Sequence, residues 1–247
     1  MKNQYLCDIG DYGKYGLLHF LCNSGIKLGV NWYLTGKDGS SDGNHKEYLS
    51  DEKMRQYDPI VYKAMQQINA QKNKTIQMVE QSGFLENACY YDDLMDFSSH
   101  PWRQRAAARN HWHSDALQRL KDAELVFADP DNSLSMRKKP TQKDAEKFLL
   151  PNELIDYFCR DQQVLYYHHR SRKNAEGWLV EKRQILNCLP DAKLLAVSFH
   201  RWTSRTYIFV LHSEQFEKYQ EALHAFLATE WGTLLMDGKA AFTEEPI

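Results

Sequence analysis

Short apolar runs alternate with amphipathic, helix-like segments along most of the chain. The runs typical of strands span 28–34, 124–128, 163–168, 193–199 and 205–211. Apolar residues at helical spacing mark the segments 11–25, 58–70, 74–82, 102–121, 151–160, 172–188 and 213–229. This alternation predicts an α/β fold with three layers, α/β/α, and a mostly parallel central sheet. We expect the run 205–211 to be antiparallel to its neighbour.

Two polar, glycine-rich stretches lie beside the first helix and strand. CDIGDYGKYG (7–16) leads into a helix for which we expect Asp11 as the N-cap and Gly25 as the stop. Its N-terminus could hold an anion or place Lys14 and Tyr15 over a pocket, and simple capping is the alternative. The loop 35–49 is too long and too polar for a turn, so we interpret it as functional. Candidate substrate-binding residues of these stretches are Asp8, Asp11, Tyr12, Asp42, Asn44 and His45.

Composition indicates a globular protein without a membrane segment. Hydrophobic residues make up 43% and charged residues 26% of the 247 residues. No apolar run approaches the roughly 18–20 residues of a membrane helix, and the first residues lack the apolar core of a signal peptide. The five cysteines are scattered without C-x-x-C spacing, which favours a reducing cytoplasm over disulfides or a zinc site. We expect one α/β domain over 1–247.

Cations follow several of the predicted strands, although the net charge is −2. In open α/β sheets ligands bind outside the carboxyl ends of the strands, so these cations are expected to share one edge. A basic edge is typical of proteins that bind a phosphate backbone, and we predict DNA as the partner. The segment 100–113 adds arginines interleaved with Trp102 and Trp112, a mixture suited to stacking or wedging bases. The candidate nucleic-acid-binding residues are Arg103, Arg105, Arg109, Arg137, Lys138, Lys139, Arg170, Arg172, Arg201, Trp202 and Arg205.

The strand exits also carry the groups that could perform chemistry. Asp129 ends the run 124–128, and Pro130 fixes the backbone before Asp131 and Asn132. A carboxylate there could orient water or stabilise a cationic transition state, and an amide could bind a base edge. The alternative is an Asx-turn that only satisfies local backbone groups.

Histidines end the two neighbouring runs. His168, followed by His169, closes the run 163–168 and is a candidate substrate contact, whereas His200 closes the run 193–199 and is a candidate catalytic group. No H-E-x-x-H or His/Cys spacing is present, so we predict no metal.

The Asp-Pro exit resembles motifs of two families. VFADPDN (126–132) is similar to the D/N-P-P-Y/F motif of amino-group methyltransferases, and GDYGKYGLLH (10–19) resembles the G-N-x-A-D-x-x-K-H opening of a bacterial 23S ribosomal RNA adenine-N6 methyltransferase family. That resemblance implies S-adenosylmethionine as cofactor. The loop after the first strand has no G-x-G, and Asp131-Asn132 replaces the proline and aromatic of the motif.

The same exit is similar to the Q-D-P-Y-H signature of uracil-DNA-glycosylase-like enzymes. Their second motif begins with histidine, and LLAVSFHRW (194–202) offers His200 in that position. This resemblance, which extends to bacterial anti-phage glycosylases of modified bases, implies hydrolysis of an N-glycosidic bond without a cofactor. Ala128 stands where the family has glutamine, and Asp131-Asn132 where it has Tyr-His.

The hypothesis favoured by the sequence is a cofactor-free DNA glycosylase acting on a flipped base. In it Asp129 activates water or stabilises the sugar cation, Asn132 and His200 contact the base, and Trp202 or Trp112 acts as a wedge. A methyltransferase is the alternative, followed by a non-enzymatic nucleic-acid binder. A metal-dependent nuclease using Asp129 and Asp131 ranks last.

Overall fold

Seven strands form one mixed sheet in the computed structural model, which describes residues 1–36, 45–169, 175–202 and 204–246. The strand order is β2-β1-β3-β6-β8-β7-β9, and β4 and β5 form a separate two-stranded parallel sheet. The strands are β1 (Leu28–Asn31), β2 (Cys89–Tyr91), β3 (Leu125–Ala128), β4 (Ser133–Leu134), β5 (Phe148–Leu149), β6 (Gln163–His169), β7 (Ala192–Phe199), β8 (Arg205–His212) and β9 (Phe242–Glu244).

Five of the seven strands run in one direction. β1, β2, β3 and β6 pair in parallel, whereas β8 pairs antiparallel with both β6 and β7, so β7 runs with β6. The edge strand β9 is antiparallel to β7. The α/β class and the antiparallel strand at 205–211 are therefore confirmed.

The predicted helices are present with shifted ends. Gly25 has a positive φ of 83° and follows the end of the first helix, as expected of a stop. The helices are α1 (Ile9–Asn23), α2 (Pro59–Asn69), α3 (Gln77–Gln81), α4 (Trp102–Arg119), α5 (Pro151–Phe158), α6 (Ala175–Cys188), α7 (Phe216–Leu227) and α8 (Glu230–Thr233).

The start of α1 corrects the prediction. Asp8, with extended backbone, is the N-cap, and its side chain accepts a hydrogen bond from the Gly10 N–H at 2.8 Å. Asp11 lies inside the helix, where it pairs with Lys14. Strand β1 also ends earlier than predicted, because Tyr33 takes a positive φ of 45° that extended backbone does not allow.

Both faces of the central sheet are buried against apolar side chains. Along β3, Leu125 and Phe127 belong to one hydrophobic cluster, and Val126 and Ala128 belong to a second. The first cluster includes residues of α1, α2 and α7, and the second includes residues of α4 and α5. Alternate side chains of a strand point to opposite faces, so the continuous apolar runs of the sequence follow directly. No described helix combines the length and apolarity needed to cross a bilayer.

Candidate functional site

A chain of buried charges lies where α1 meets the carboxyl end of β3. The Lys14 ammonium lies 2.8 Å from Oδ2 of Asp129 and 2.9 Å from Oδ1 of Asp11. All three side chains are buried, and the Asp129 backbone N–H donates to the Asn31 carbonyl at 3.0 Å. The two carboxylates, distant in sequence, are thus held by a single nitrogen.

The balance of burial and charge keeps Lys14 protonated. Burial alone would lower the pKa of Lys14, but Asp11 and Asp129 more than offset it, and the pKa is raised. Burial raises the pKa of Asp11 even though Lys14 opposes the change. Lys14 is therefore a fixed positive charge that neutralises and orients the Asp129 carboxylate.

One oxygen of Asp129 remains for a bound group. Lys14 holds Oδ2, and Oδ1 accepts no hydrogen bond from any residue that the structure describes. A carboxylate with one oxygen anchored and the other unpaired can accept a proton or stabilise a nearby cation.

The backbone of Asn132 is fixed by two hydrogen bonds. Its N–H donates to the Lys147 carbonyl at 3.0 Å, and its carbonyl accepts from the His169 N–H at 2.9 Å. Its half-buried side chain makes no hydrogen bond to the described part of the chain. The amide is positioned yet unpaired, as a group that contacts a ligand would be.

Asp131 is an anchor, which corrects its proposed catalytic role. Its carboxylate lies 2.8 Å from the Met1 amino group and 3.1 Å from the Lys2 ammonium, and the Thr35 hydroxyl donates to it at 3.2 Å. The Met1 contact is an ion pair whose angles fall outside hydrogen-bond geometry. Burial alone would raise the pKa of Asp131, but these two cations lower it. A carboxylate held this way cannot activate water.

His200 lies at the same sheet edge as Asp129. Strands β6 and β8 separate β3 from β7, which places the two exits roughly 14 Å apart at the usual strand spacing. The His200 imidazole lies 2.6 Å from the Thr243 hydroxyl. That His200 and Asp129 act on one base stays a prediction. His168, one strand from β3, lies 2.7 Å from the Ser133 hydroxyl.

Two candidates on the opening segment have structural partners instead of facing a pocket. The Asp8 carboxylate caps α1 and lies 2.8 Å from the Arg205 guanidinium. That guanidinium packs on Gly10, where an added Cβ would lie 0.6 Å from it. The buried Tyr12 hydroxyl donates to the Met54 carbonyl at 2.7 Å, which corrects its assignment to substrate binding.

Arg109 is a core residue, which corrects its assignment to DNA binding. It is 1% exposed, lies 2.6 Å from the Glu153 carboxylate and donates to the Ala145 and Phe148 carbonyls, each at 2.6 Å. Burial alone would raise the pKa of Glu153, but Arg109 more than offsets this and lowers it. No phosphate can reach this guanidinium.

The other predicted cations divide into paired and exposed groups. The Arg105 guanidinium donates to three backbone carbonyls, Lys138 pairs with Asp144, and Arg201 donates to the Tyr57 hydroxyl. Within the described ranges, Arg103, Arg137 and Lys139 are exposed candidates whose side chains make no hydrogen bond or ion pair. Asp42, Asn44, Arg170 and Arg172 lie outside the described residues.

Of the two candidate wedges, Trp202 is exposed to solvent and Trp112 is buried. Trp202 is 65% exposed, has a positive φ of 65°, and stacks on His45 with ring centroids 5.0 Å apart. Trp112 is buried, and its indole N–H donates to the Asp93 carbonyl at 3.0 Å. A non-glycine residue with this backbone is unusual, and Trp202 holds a flat apolar surface in solvent.

Lys14 and Tyr15 were expected over a pocket at the start of α1, whereas Tyr48 was not predicted. Asp11 and Lys14 are spaced for a pair on one helix face, a signal that was available in the sequence. No sequence signal placed Tyr48 against α1, since it is distant from that helix in sequence. Across the described ranges, no three His, Cys, Asp or Glu side chains are grouped so as to hold a metal ion.

Comparison with known proteins gives a structural similarity at low sequence identity. No family model and no curated protein matches the chain. The crystal structure of protein LPL1258 from Legionella pneumophila str. Philadelphia 1, described as DUF519, is similar with a TM-score of 0.40 and 14% sequence identity, over 98% of this chain and 97% of that chain. The proposed function therefore depends on the residues of the site alone.

Proposed function

We propose that this protein is a DNA glycosylase that hydrolyses the N-glycosidic bond of a flipped, modified base, with defence against phage DNA as its setting. The observation that supports it is Asp129: a buried carboxylate at a strand exit with Oδ2 fixed by Lys14 and Oδ1 unpaired within the described residues. Cleavage of this bond passes through a sugar cation, which an anion in a water-poor site stabilises.

The proposed reaction needs no group beyond the chain and water. The bond between C1′ and the base nitrogen breaks, and its electron pair leaves with the base, which takes up a proton from solvent water. A water oxygen then bonds to C1′, and Oδ1 of Asp129 accepts the proton that this water releases and returns it to solvent, so one water is consumed. Lys14 stays protonated throughout and keeps the carboxylate aimed at the sugar.

Asn132 and Trp202 supply the contacts that hold an extruded nucleotide. The unpaired Asn132 amide offers both a donor and an acceptor to a base edge. Trp202, exposed beside His45, offers a stacking surface for a neighbouring base. The exposed cations Arg103, Arg137 and Lys139 are the proposed phosphate contacts.

The experiment is mass spectrometry of DNA incubated with the protein, using unmodified DNA and phage DNA that carries hypermodified bases. Free base is expected from one substrate, and Asp129→Asn should abolish its release while leaving DNA binding intact. Asp144→Asn, which alters an exposed ion pair with Lys138, is the matched control and should retain release. Absence of free base from every substrate would refute the proposal.

The exit of β3 supports a methyltransferase as the second candidate. Its sequence VFADPDN (126–132) resembles the D/N-P-P-Y/F motif of amino-group methyltransferases. Calorimetry with S-adenosylmethionine separates the two: micromolar binding would favour the methyltransferase.

Three expectations about architecture, location and domain organisation stay proposals beside this function. A three-layer α/β/α arrangement is supported by the two hydrophobic clusters that share the alternating residues of β3. A cytoplasmic location is supported by the five free cysteines. A single domain over 1–247 agrees with the continuous strand order of the sheet.

A further inference from the structure

Three buried polar atoms next to Lys14 lack hydrogen-bond partners among the described residues. They are Oδ2 of Asp11 and the hydroxyls of Tyr15 and Tyr48, on residues that are 5%, 0% and 5% exposed. Folded proteins pair nearly all of their buried polar groups, and each unpaired group destabilises the folded state. Such a concentration beside a candidate catalytic carboxylate therefore needs a cause.

The three atoms belong to one cluster. Asp11 and Tyr15 lie one helical turn apart and so share a face of α1. Tyr48 comes from the short 3-10 helix Glu47–Ser50, and its ring stacks on Tyr12 with centroids 5.2 Å apart. Tyr15 interacts electrostatically with both Asp11 and Tyr48. We call Asp11, Tyr15 and Tyr48 the Asp11 cluster.

The cluster offers one acceptor group and two donors. The Asp11 carboxylate is paired with Lys14 through Oδ1, so Oδ2 is left to accept a hydrogen bond from a ligand. Burial holds the pKa of Tyr15 and Tyr48 well above the usual range, so both hydroxyls keep their protons to donate.

We infer that the Asp11 cluster is the base-recognition site, an inference that rests on the proposed function. The site is closed here, and it opens at Tyr48 to bind the amino-bearing edge of a cytosine-type base. The exocyclic amine of such a base donates, and its ring nitrogen and carbonyl oxygen accept, which matches one carboxylate and two hydroxyls. Adenine presents a single acceptor beside its amine, and guanine presents two donors. Thymine and uracil place a carbonyl oxygen where the amine would meet the carboxylate.

The position of the cluster also agrees with the reaction. Lys14 connects Asp11 to Asp129 through contacts of 2.9 and 2.8 Å. A base held at Asp11 would therefore lie beside the Lys14–Asp129 pair, next to the carboxylate proposed for catalysis.

The test measures nucleoside binding and thermal stability on the same variants. By calorimetry, deoxycytidine is expected to bind the intact chain more tightly than thymidine or deoxyadenosine. Tyr48→Phe and Tyr15→Phe should each weaken deoxycytidine binding by about tenfold, because each removes a donor. Both should also raise the thermal midpoint without ligand, because each removes an unpaired buried hydroxyl.

The matched control is Tyr219→Phe. Tyr219 lies on α7, outside the Asp11 cluster, and its hydroxyl donates to the Glu124 carboxylate at 3.3 Å. It should lower the midpoint or leave it unchanged, and it should leave deoxycytidine binding intact. No deoxycytidine binding, equal binding of thymidine, or undiminished affinity in Tyr48→Phe would overturn the inference. Selective deoxycytidine binding without base release from any DNA would uphold the site and refute the glycosylase.

Discussion

Replacing Arg109 by methionine should destabilise the protein strongly and leave the proposed DNA binding nearly unchanged. The substitution removes a guanidinium that lies 2.6 Å from the Glu153 carboxylate, both side chains being 1% exposed. Glu153 would keep its hydrogen bonds from the Tyr33 hydroxyl at 2.9 Å and the Leu150 N–H at 3.0 Å. It would nevertheless be a buried anion without a counter-charge.

Breaking a buried pair in this way costs about 3–5 kcal/mol. The Ala145 and Phe148 carbonyls also lose their donor, which places Arg109→Met at the upper end of that range. For a chain of this size the thermal midpoint should fall by about 6–20 °C. Because the whole stability of a protein is about 5–15 kcal/mol, the single variant will be only marginally folded.

The double variant Arg109→Met with Glu153→Leu keeps the test measurable. It removes both charges, so it should recover part of the lost stability in urea unfolding at 25 °C. Recovery stays incomplete because the Tyr33 hydroxyl and the Leu150 N–H lose their acceptor. Arg103→Met, an exposed change on the same helix, is the control and should alter stability by less than about 0.5 kcal/mol while weakening DNA binding at low salt. The reasoning would be refuted if Arg109→Met cost under about 1 kcal/mol and instead reduced DNA affinity.

Further expected outcomes follow from the pKa shifts and from the exposed indole. The pKa of Glu153 is lowered in the folded protein, so its ionised form stabilises the fold above its unfolded pKa of about 4.3. This stabilisation is lost as the pH falls through the lower folded pKa. Urea unfolding should therefore show a steep fall in the free energy of unfolding below about pH 4. Burial raises the pKa of Cys7 to about 12, so a thiol reagent at pH 8 should label the exposed Cys159 rapidly and Cys7 only after unfolding. Equal labelling rates would contradict the buried placement. Trp202→Ala should weaken binding of single-stranded DNA by about 1–3 kcal/mol in a fluorescence titration, and unchanged affinity would rule out stacking.

Much of the sheet was predictable because its strands are buried on both faces. Each of β3, β6, β7 and β8 contains a continuous run of at least four apolar residues, most of them buried. β2 was missed because it has only three residues, Cys89–Tyr91, and is only partly buried. Local signals also could not choose the start of α1, since Asp8 and Asp11 are both acceptable caps.

The candidate site was predicted only where its residues follow one strand. Asp129 and Asn132 come directly after β3, and both meet the expectation of groups placed at the carboxyl edge. Arg109 was misassigned because its neighbours are basic and polar, whereas its partner Glu153 is 44 residues away and belongs to another helix. The distance between the exits at Asp129 and His200 was not predictable, because the sequence does not reveal that β8 is inserted between β6 and β7.

The insertion of β8 also affects how the chain can fold during synthesis. β6 is complete on the ribosome long before its second neighbour, since β8 is translated after both α6 and β7. Until then β6 exposes an apolar edge with unsatisfied backbone groups, the kind of edge that recruits strands from other chains. Release of nascent chains truncated before Arg205 should therefore produce aggregates or chaperone-bound material, because the β7–β8 hairpin covers the open edge of β6.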